Sequence, residues 1–329
     1  MHRSSIVLVT PALADANNGN WQTARRWARM LSRAYHVTLA ARWPGGGEDL
    51  MIALHARRSA ASIAAWRSAH PDRPLLLALT GTDLYRDIDT DADARASLGF
   101  ADALVVLNER GARRLPAALR ARCHVVLQSC GARRTLPKAR RHLRAVMVGH
   151  LRDEKDPETY FRAARLLAGR RDILLDHVGA AMDPVLGRQA EVLAEQQATY
   201  RWFGALAHAA TRRRIQSAHV LVNTSRMEGG AHVVIEALRS GTPVIASRID
   251  GNVGLLGADY PGLFPAGDAA ALARLLRRAR DEPAFLRALQ QRAAARAPLF
   301  APETEARKLA RLVGDLLRPP RGPRNATSK

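Results

Sequence analysis

Short runs of apolar residues alternate with amphipathic stretches along the whole chain. Runs rich in Val, Ile and Leu, separated by stretches with helical spacing, are typical of parallel strands that helices cover on both faces. The first part of the chain therefore predicts an α/β domain whose first helix runs from Trp21 to Ser32. Its strands are predicted at Ile6–Thr10, His36–Ala41, Leu50–His55, Leu75–Leu79, Ala103–Leu107 and His124–Leu127.

The alternation stops between Ser129 and Arg144, where glycine, proline and several basic residues leave no strand pattern. We interpret this segment as a linker between two domains. The predicted division is a first domain at 1–130, a linker at 131–144, a second domain at 145–300, a C-terminal helix at 301–317 and a disordered tail at 318–329.

The alternation then resumes, which predicts a second α/β unit. Ligands of such sheets bind beyond the carboxyl ends of the strands, so two facing units predict a cleft between them. The second set of strands is predicted at Ala145–Val148, Ile173–Val178, Trp202–Phe203, Val220–Asn223 and Val244–Ser247. The helices are predicted from Pro157 onward and at Pro184–Gln196, His232–Ser240, Ala269–Arg280, Pro283–Arg296 and Pro302–Leu317.

Composition excludes several protein classes. An apolar fraction of 47% in 329 residues is sufficient for two cores, and no apolar run reaches the ~18 residues of a membrane helix. Residues 1–16 resemble a signal peptide, but the apolar run at 6–9 is too short and Pro11 follows it. We therefore expect a first strand and a cytoplasmic protein. Two cysteines, Cys123 and Cys130, are expected to be free thiols.

The net charge of +21 would suit a polyanion-binding protein. However, only four of the 51 basic residues are lysines, and the arginines are spread over the predicted helices instead of forming one stripe. We interpret most of this charge as a solvated surface and expect no nucleic-acid partner. A non-catalytic polyanion-binding protein is kept as a third hypothesis, which a steep salt dependence of binding would identify.

The clearest chemical signal is the segment 225–238, SRMEGGAHVVIEAL, between two predicted strands. Gly229 and Gly230 allow the backbone to approach a ligand closely. The following helix would present amide groups and the positive end of its dipole to an anion such as a diphosphate. Glu236, inside that helix, could accept hydrogen bonds from the vicinal hydroxyls of a ribose, and Glu228 could do the same for a sugar.

This segment resembles the donor site of glycosyltransferases with the GT-B fold, in the group with two glutamates eight positions apart. The resemblance extends from about Ala145 to Leu317 and includes the sequences VGHL at 148–151, FG at 203–204 and GD at 267–268. It implies two doubly wound Rossmann-like α/β domains that face a central cleft. It also implies a nucleotide sugar as the donor substrate.

The resemblance also implies roles for single residues. Glu236 would hold the ribose, Glu228 would be a catalytic residue at the transferred sugar, and Lys155 would neutralise the diphosphate. The family usually has arginine directly after the glycine of the first strand in this domain, whereas this chain has His150. Arg152 could supply the guanidinium instead, since its geometry suits phosphate. The donor-binding residues expected on this side are His150, Arg152, Lys155, Gly229, Gly230, Ala231 and Glu236.

Three further segments resemble the selenosugar synthases of selenoneine biosynthesis. They are NGNWQT at 18–23, LTGTDLY at 79–85 and GHLRDEKDP at 149–157. This resemblance covers nearly the whole chain and implies a UDP-sugar, such as UDP-N-acetylglucosamine or UDP-glucose, as the donor. It implies selenophosphate as a small anionic acceptor and a 1-seleno sugar as the product.

The first domain is expected to supply the acceptor side. Gly19 precedes a helix N-terminus, so its amide could face the diphosphate across the cleft as a further donor-binding group. Asp83 is predicted either as a catalytic residue or as a helix N-cap. The acceptor-binding residues expected here are Asn20, Gln22, Thr80, Gly81 and Thr82.

Two further expectations complete the sequence-based interpretation. A conventional glycosyltransferase acting on the hydroxyl of a glycan, a lipid or a small molecule shares every donor motif, so only the acceptor side distinguishes it. No metal cofactor is expected, because Lys155 and helix amides could neutralise the diphosphate and we identify no Asp-x-Asp motif of the kind that holds a metal-bound diphosphate. The oligomeric state is not predicted.

Overall fold

The computed structural model describes residues 3–11 and 19–318. They form two α/β domains, each built on a six-stranded sheet in which all paired strands are parallel. The predicted polar loop at Asn17 and Asn18, residues 12–14 of the signal-like segment, and the predicted tail beyond Arg318 lie outside the described residues. No helix of the described ranges is long and apolar enough to cross a membrane.

The sheet of the first domain has the strand order β2-β1-β3-β4-β5-β6. Its strands are β1 (Ser5–Val9), β2 (His36–Ala40), β3 (Leu50–Leu54), β4 (Leu75–Leu79), β5 (Ala103–Val106) and β6 (Cys123–Val125). Its helices are α1 (Gly19–Leu31), α2 (Ala60–Ala69), α3 (Ile88–Thr90), α4 (Ala92–Phe100) and α5 (Ala117–Arg120), with a π-helical turn at Asp83–Asp87 and a 3-10 turn at Gly111–Arg114.

Alternation along the strands divides the first core between the two faces of this sheet. Val7, Met51 and Leu77 pack on the side of α2 and α4, whereas the neighbouring residues Leu8 and Ile52 pack on the opposite side. All five are fully buried. A strand that is buried on both faces must be apolar at every position, which explains its continuous apolar run.

The sheet of the second domain has the order β12-β11-β10-β7-β8-β9. Its strands are β7 (Leu143–Val148), β8 (Ile173–Val178), β9 (Tyr200–Trp202), β10 (Val220–Asn223), β11 (Val244–Ser247) and β12 (Leu263–Phe264). Its helices are α6 (Pro157–Leu166), α7 (Pro184–Gln196), α8 (His208–Ser217), α9 (His232–Leu238), α10 (Asp250–Leu256), α11 (Ala269–Asp281) and α12 (Pro283–Arg296). A single hydrophobic core joins both faces.

The last helix, α13 (Pro302–Leu316), returns from the second domain to the first. Its Leu309 and Val313 join the core that α1 forms on the first sheet. Glu305, 1% exposed, accepts hydrogen bonds from Trp27 Nε1 at 2.7 Å, Arg26 Nε at 2.8 Å and Ser129 Oγ at 2.5 Å. One buried carboxylate therefore connects the end of the chain to α1 and to the start of the linker.

Most strands predicted from the sequence are present, with ends that differ by one or two residues. Three expectations need correction. The strand expected at Trp202–Phe203 runs from Tyr200 to Trp202, and β7 begins at Leu143, inside the expected linker. Helix α9 ends at Leu238, two residues before its predicted end, because Gly241 adopts a positive φ of 68° ahead of Pro243. Short elements such as α8, α10 and β12 were not predicted.

Replacement of Glu305 by alanine should lower the free energy of unfolding by about 3 kcal/mol, because it leaves the buried indole and guanidinium groups without their acceptor. The measurement is urea unfolding followed by far-UV circular dichroism. Glu303→Ala, an exposed position on the first turn of the same helix, is the matched control and should change little. Equal stabilities for the two variants would contradict the connecting role of Glu305.

Candidate active site

The loop after β4, residues 80–83, is here called the threonine loop. The carboxylate of Asp83 lies inside it, fully buried, and accepts hydrogen bonds from the amides of Thr80 at 2.9 Å, Gly81 at 2.8 Å and Ala56 at 3.0 Å. These contacts run back toward preceding residues, so the side chain does not cap a helix. Asp83 holds the loop in shape, and the geometry favours a positioning role over the predicted catalytic one.

His55 lies beneath the threonine loop, at the carboxyl end of β3. It is 2% exposed and has a positive φ of 74°. Its Nδ1 accepts from the Arg58 amide at 3.3 Å, so Nε2 carries the proton and donates to Thr82 Oγ1 at 3.0 Å. Burial lowers the pKa of His55, against the opposing charge of Asp83. A neutral His55 therefore orients the hydroxyl of Thr82, a half-buried residue.

The segment 225–231, here called the double-glycine loop, meets the threonine loop directly. A β-carbon at Gly229 would lie 2.2 Å from the carbonyl oxygen of Thr80, and one at Gly81 would lie 3.2 Å from the Gly229 nitrogen. Glycine is therefore required at position 229 for the two domains to approach this closely. The contact brings the predicted acceptor loop and the predicted donor loop together.

Glu228 and Lys155 form an ion pair beside this contact. Lys155 Nζ donates to Glu228 Oε1 at 2.5 Å, and Ser225 Oγ donates to the same oxygen at 2.7 Å. Burial acts to raise the pKa of Glu228, but the charge and hydrogen bond of Lys155 outweigh it, so the pKa lies below its ordinary value. The carboxylate is therefore ionised at neutral pH.

Lys155 is positioned by the 3-10 turn Asp153–Lys155 that follows β7. Its side chain runs over Gly149, where a β-carbon would lie 3.5 Å from Lys155 Cγ. The Lys155 carbonyl accepts from Thr224 Oγ1 at 2.8 Å, next to the double-glycine loop. Two loops at the carboxyl ends of neighbouring strands, β7 and β10, thus converge on one lysine and one glutamate.

Glu236 is buried in α9 and is surrounded by donors from two helices. Its Oε1 accepts from His208 Nε2 at 2.7 Å and lies 3.5 Å from His232 Nδ1 and 3.6 Å from Arg212 Nη1. Burial acts to raise the pKa of Glu236, but the hydrogen bonds from both histidines lower it to about 2. The predicted ribose acceptor is therefore a carboxylate that already has partners.

His150 and Arg152 follow the first strand of the second domain, as expected. His150 Nδ1 accepts from the Ala180 amide at 3.0 Å. Burial, aided by the charges of Arg152 and Lys155, lowers the pKa of His150, so this ring is neutral where the resemblance to GT-B glycosyltransferases implies a cation. Arg152 is half-exposed and lies 3.9 Å from Glu154.

The first turn of α1 reaches the same cleft through Gln128. Thr23 Oγ1 donates to the Gly19 carbonyl at 2.8 Å and accepts from Gln128 Nε2 at 2.6 Å. A β-carbon at Gly230 would lie 3.2 Å from Gln128 Oε1. The start of α1, which carries the predicted residues Gly19, Asn20 and Gln22, is therefore near the double-glycine loop.

Four aspartates at alternate positions, from Asp87 to Asp93, contain an Asp-x-Asp spacing that the sequence interpretation did not recognise. They lie in the first domain, and arginines or amides engage three of them. Asp87 contacts Arg86 at 3.0 Å, Asp89 contacts Arg114 at 2.5 Å, and Asp91 caps α4 through the Ala94 amide. The described residues contain no cluster of His, Cys, Asp and Glu arranged as a metal site.

Several polar residues of the site were missed from the sequence. His55, Asn108 and Gln128 are each the first polar residue after an apolar strand run, and all three are buried at the carboxyl end of the first sheet. That position could have identified them, since ligands of parallel sheets bind there. His208 and Arg212 carried no comparable signal, because they lie on α8, a helix the pattern did not predict.

A family model described as glycosyl transferases group 1 matches residues 132–296, which is half of the chain. The matched part contains the double-glycine loop, Lys155 and Glu236. The chain therefore belongs to the group 1 glycosyl transferases. No curated protein matches it.

Solved structures of similar fold confirm the GT-B arrangement of two facing Rossmann-like domains. Sucrose-phosphate synthase from Thermosynechococcus elongatus is 18% identical over 95% of this chain and 99% of its own, with a TM-score of 0.77. Anabaena HepE in complex with UDP and glucose is 15% identical over 95% of this chain and 100% of its own, with a TM-score of 0.74. The pneumococcal O-GlcNAc transferase GtfA in complex with UDP and GlcNAc is 17% identical over 82% of this chain and 57% of its own, with a TM-score of 0.64.

Replacement of Lys155 by methionine should reverse the pH dependence that Glu228 contributes to stability. In the parent protein the pKa of Glu228 is lowered, so its ionised form stabilises the fold at pH values above the ordinary carboxyl pKa. This stabilisation is lost as the pH falls. Without the lysine, burial should raise the pKa of Glu228, so stability should be lost as the pH rises. The difference in unfolding free energy should therefore grow from pH 4 to pH 7, to on the order of 2 kcal/mol.

The measurement is urea unfolding of both proteins across that pH range. Lys308→Met is the matched control, because Lys308 is exposed and donates a hydrogen bond to the Val125 carbonyl at 3.5 Å, with no carboxylate involved. Its difference from the parent should not change with pH. A pH-independent difference for Lys155→Met as well would show that the ion pair does not set the ionisation of Glu228.

Proposed function

We propose that this group 1 glycosyl transferase moves a sugar from UDP-N-acetylglucosamine or UDP-glucose to selenophosphate, and so makes a 1-seleno sugar for selenoneine biosynthesis. The selenium atom would form a bond to the anomeric carbon as the bond from that carbon to the UDP oxygen breaks. Water would later attack phosphorus and release phosphate from selenium. UDP, phosphate and a selenosugar are the products.

Support for the donor comes from the second domain. The amides of Gly229 and Gly230 make no hydrogen bond within the described residues, and the Lys155 ammonium lies at the same loop. Amide donors and one ammonium suit a diphosphate. Solved neighbours of the same fold were captured with UDP, UDP and glucose, or UDP-glucose.

Glu236 is proposed to hold the ribose. Its present partner His208 has a side chain that is 72% exposed, so a nucleotide could displace it at small cost. Arg212, 5% exposed, would stay and keep the carboxylate ionised. Glu228 is proposed to contact the transferred sugar, while Lys155 turns from Glu228 toward the diphosphate.

The proposed acceptor is argued from the threonine loop. The observation that supports it is that both carboxylate oxygens of Asp83 already accept hydrogen bonds. A sugar hydroxyl must lose a proton during attack and needs a base. Both oxygens of Asp83 accept from backbone amides, and the His55 Nδ1 lone pair accepts from the Arg58 amide. Neither of these two groups of the first domain is available as a base, and Glu228 is assigned to the sugar of the donor. Selenophosphate is already an anion and needs no base.

What the threonine loop does offer is hydrogen-bond donors for oxygens. Thr80 and Thr82 are half-buried residues, and the Thr82 hydroxyl accepts from His55, so its own proton is available for an acceptor. Arg86 lies 3.6 Å from Glu154 across the cleft and is a nearby source of positive charge. A small phosphate-like group fits this chemistry, with Asn20 and Gln22 as further donors.

Replacement of Glu236 by alanine should weaken UDP binding roughly 10–150-fold, because charge-assisted hydrogen bonds contribute ~1.5–3 kcal/mol. Isothermal titration calorimetry with UDP measures this effect. Glu236→Gln separates loss of charge from loss of packing around Arg212. Glu191→Gln, which breaks an exposed pair with Arg188, is the control and should bind UDP normally. Unchanged UDP affinity in Glu236→Ala would remove this residue from the donor site.

The decisive experiment is substrate choice. The purified protein, in buffer with a chelator, should release UDP from a UDP-sugar much faster with selenophosphate than with simple alcohols or water, and mass spectrometry should detect a 1-seleno sugar. Equal release with a sugar alcohol and none that depends on selenophosphate would instead support the conventional transferase with a hydroxyl acceptor. Activity that magnesium restores after chelation would contradict the proposal that Lys155 and loop amides suffice for the diphosphate.

A further inference from the structure

One side chain of the first domain enters the double-glycine loop of the second. Asn108 follows β5 and is fully buried. Its Nδ2 donates to the Gly229 carbonyl at 2.7 Å and to the Tyr85 hydroxyl at 2.9 Å. This is a neutral hydrogen bond between the domains, made at the loop where the donor is proposed to bind.

The orientation of the Asn108 amide follows from its partners. Its Oδ1 accepts from the Arg110 amide at 2.9 Å, which only an oxygen can do. Its nitrogen therefore faces Gly229, whose carbonyl can only accept. A β-carbon at Gly254 of α10 would lie 2.5 Å from Asn108 Oδ1, so the side chain is enclosed between two glycines of the second domain.

This contact determines the direction of a backbone amide. In a trans peptide the C=O and the following N–H point in opposite directions. Because the Gly229 carbonyl points at Asn108, the Gly230 N–H points away from Asn108. That amide has no hydrogen-bond partner among residues 3–11 and 19–318.

We propose that Asn108 is a positioning residue for the donor: it holds the Gly229–Gly230 peptide so that the Gly230 amide is presented to the diphosphate of the nucleotide sugar. This inference rests on the proposed function, since it needs a diphosphate at the double-glycine loop. Asn108 does not touch the donor itself. Through Asn108, the shape of the diphosphate site in the second domain depends on how closely the first domain approaches.

Asn108→Asp is the sharpest test. The carboxylate has the same shape and can still accept from Arg110 and Tyr85, but it cannot donate to the Gly229 carbonyl and repels it. Loss of one amide contact to the diphosphate should weaken UDP binding roughly tenfold and leave uridine binding unchanged. Calorimetric titrations with UDP and with uridine measure both. Because the new carboxylate would also repel the diphosphate directly, the same fall in the ratio of UDP to uridine affinity must appear in a neutral variant.

Two variants accompany it. Gly254→Ala should displace Asn108 without altering its chemistry and should lower the ratio of UDP to uridine affinity in the same way, which keeps the test available if the aspartate variant does not fold. Glu109→Gln breaks the neighbouring interdomain pair with Arg296, 3.0 Å long, and should leave UDP binding unchanged. It controls for general loosening of the interface.

The outcomes separate this inference from the proposed function. If the parent protein does not bind UDP, the proposed function fails and this inference fails with it. If the parent binds UDP and Asn108→Asp and Gly254→Ala bind it equally well, only the inference is overturned. Parallel loss of UDP and uridine in Asn108→Asp or Gly254→Ala, or the same loss of UDP in Glu109→Gln, would also overturn it, because Asn108 would then act only on the fold or on closure.

Discussion

The two domains meet where Gly229 has no side chain, and the rest of the site depends on that contact. Any β-carbon there would lie 2.2 Å from the Thr80 carbonyl oxygen, so a larger residue would hold the threonine loop away from Glu228 and Lys155. The sequence suggests that the double glycine allows a ligand close to the backbone. The structure adds a second reason, since the first domain itself approaches this backbone.

Two buried carboxylates near this contact have opposite chemical character. Asp83 accepts from three backbone amides, which hold both of its oxygens in place and fix the threonine loop. Glu228 is held by a lysine and a serine hydroxyl, both side chains that can move when a ligand arrives. A carboxylate held by backbone amides has a fixed position, whereas one held by side chains can exchange partners. Of these two carboxylates, only Glu228 can do so.

Periodicity was sufficient to predict most strands of both sheets, because strands buried on two faces must be continuously apolar, but it did not predict β12. Glu228 and Glu236 were predicted as site residues from the local order of their loop and helix, and Lys155 from the resemblance to GT-B glycosyltransferases. The partners of these residues could not be found in this way. His208 is 28 positions from Glu236, and Asn108 is 121 positions from Gly229, so each contact exists only through packing of elements distant in sequence. The return of α13 to the first domain is a tertiary contact of the same kind.

The interdomain contacts are of a kind that can be made and broken. The ion pairs across the cleft, Arg86–Glu154, Arg110–Asp250 and Arg296–Glu109, are all partly exposed, and such pairs contribute ~0–1 kcal/mol each. The buried contacts include glycines of the second domain against the first domain, such as Gly229 against the Thr80 backbone, and a neutral amide hydrogen bond from Asn108. The proposed nucleotide sugar would have to enter a cleft that these contacts close, and a large apolar interface would oppose its entry. Steric fit, partly exposed ion pairs and the directed hydrogen bond of Asn108 hold the closed arrangement without making it permanent.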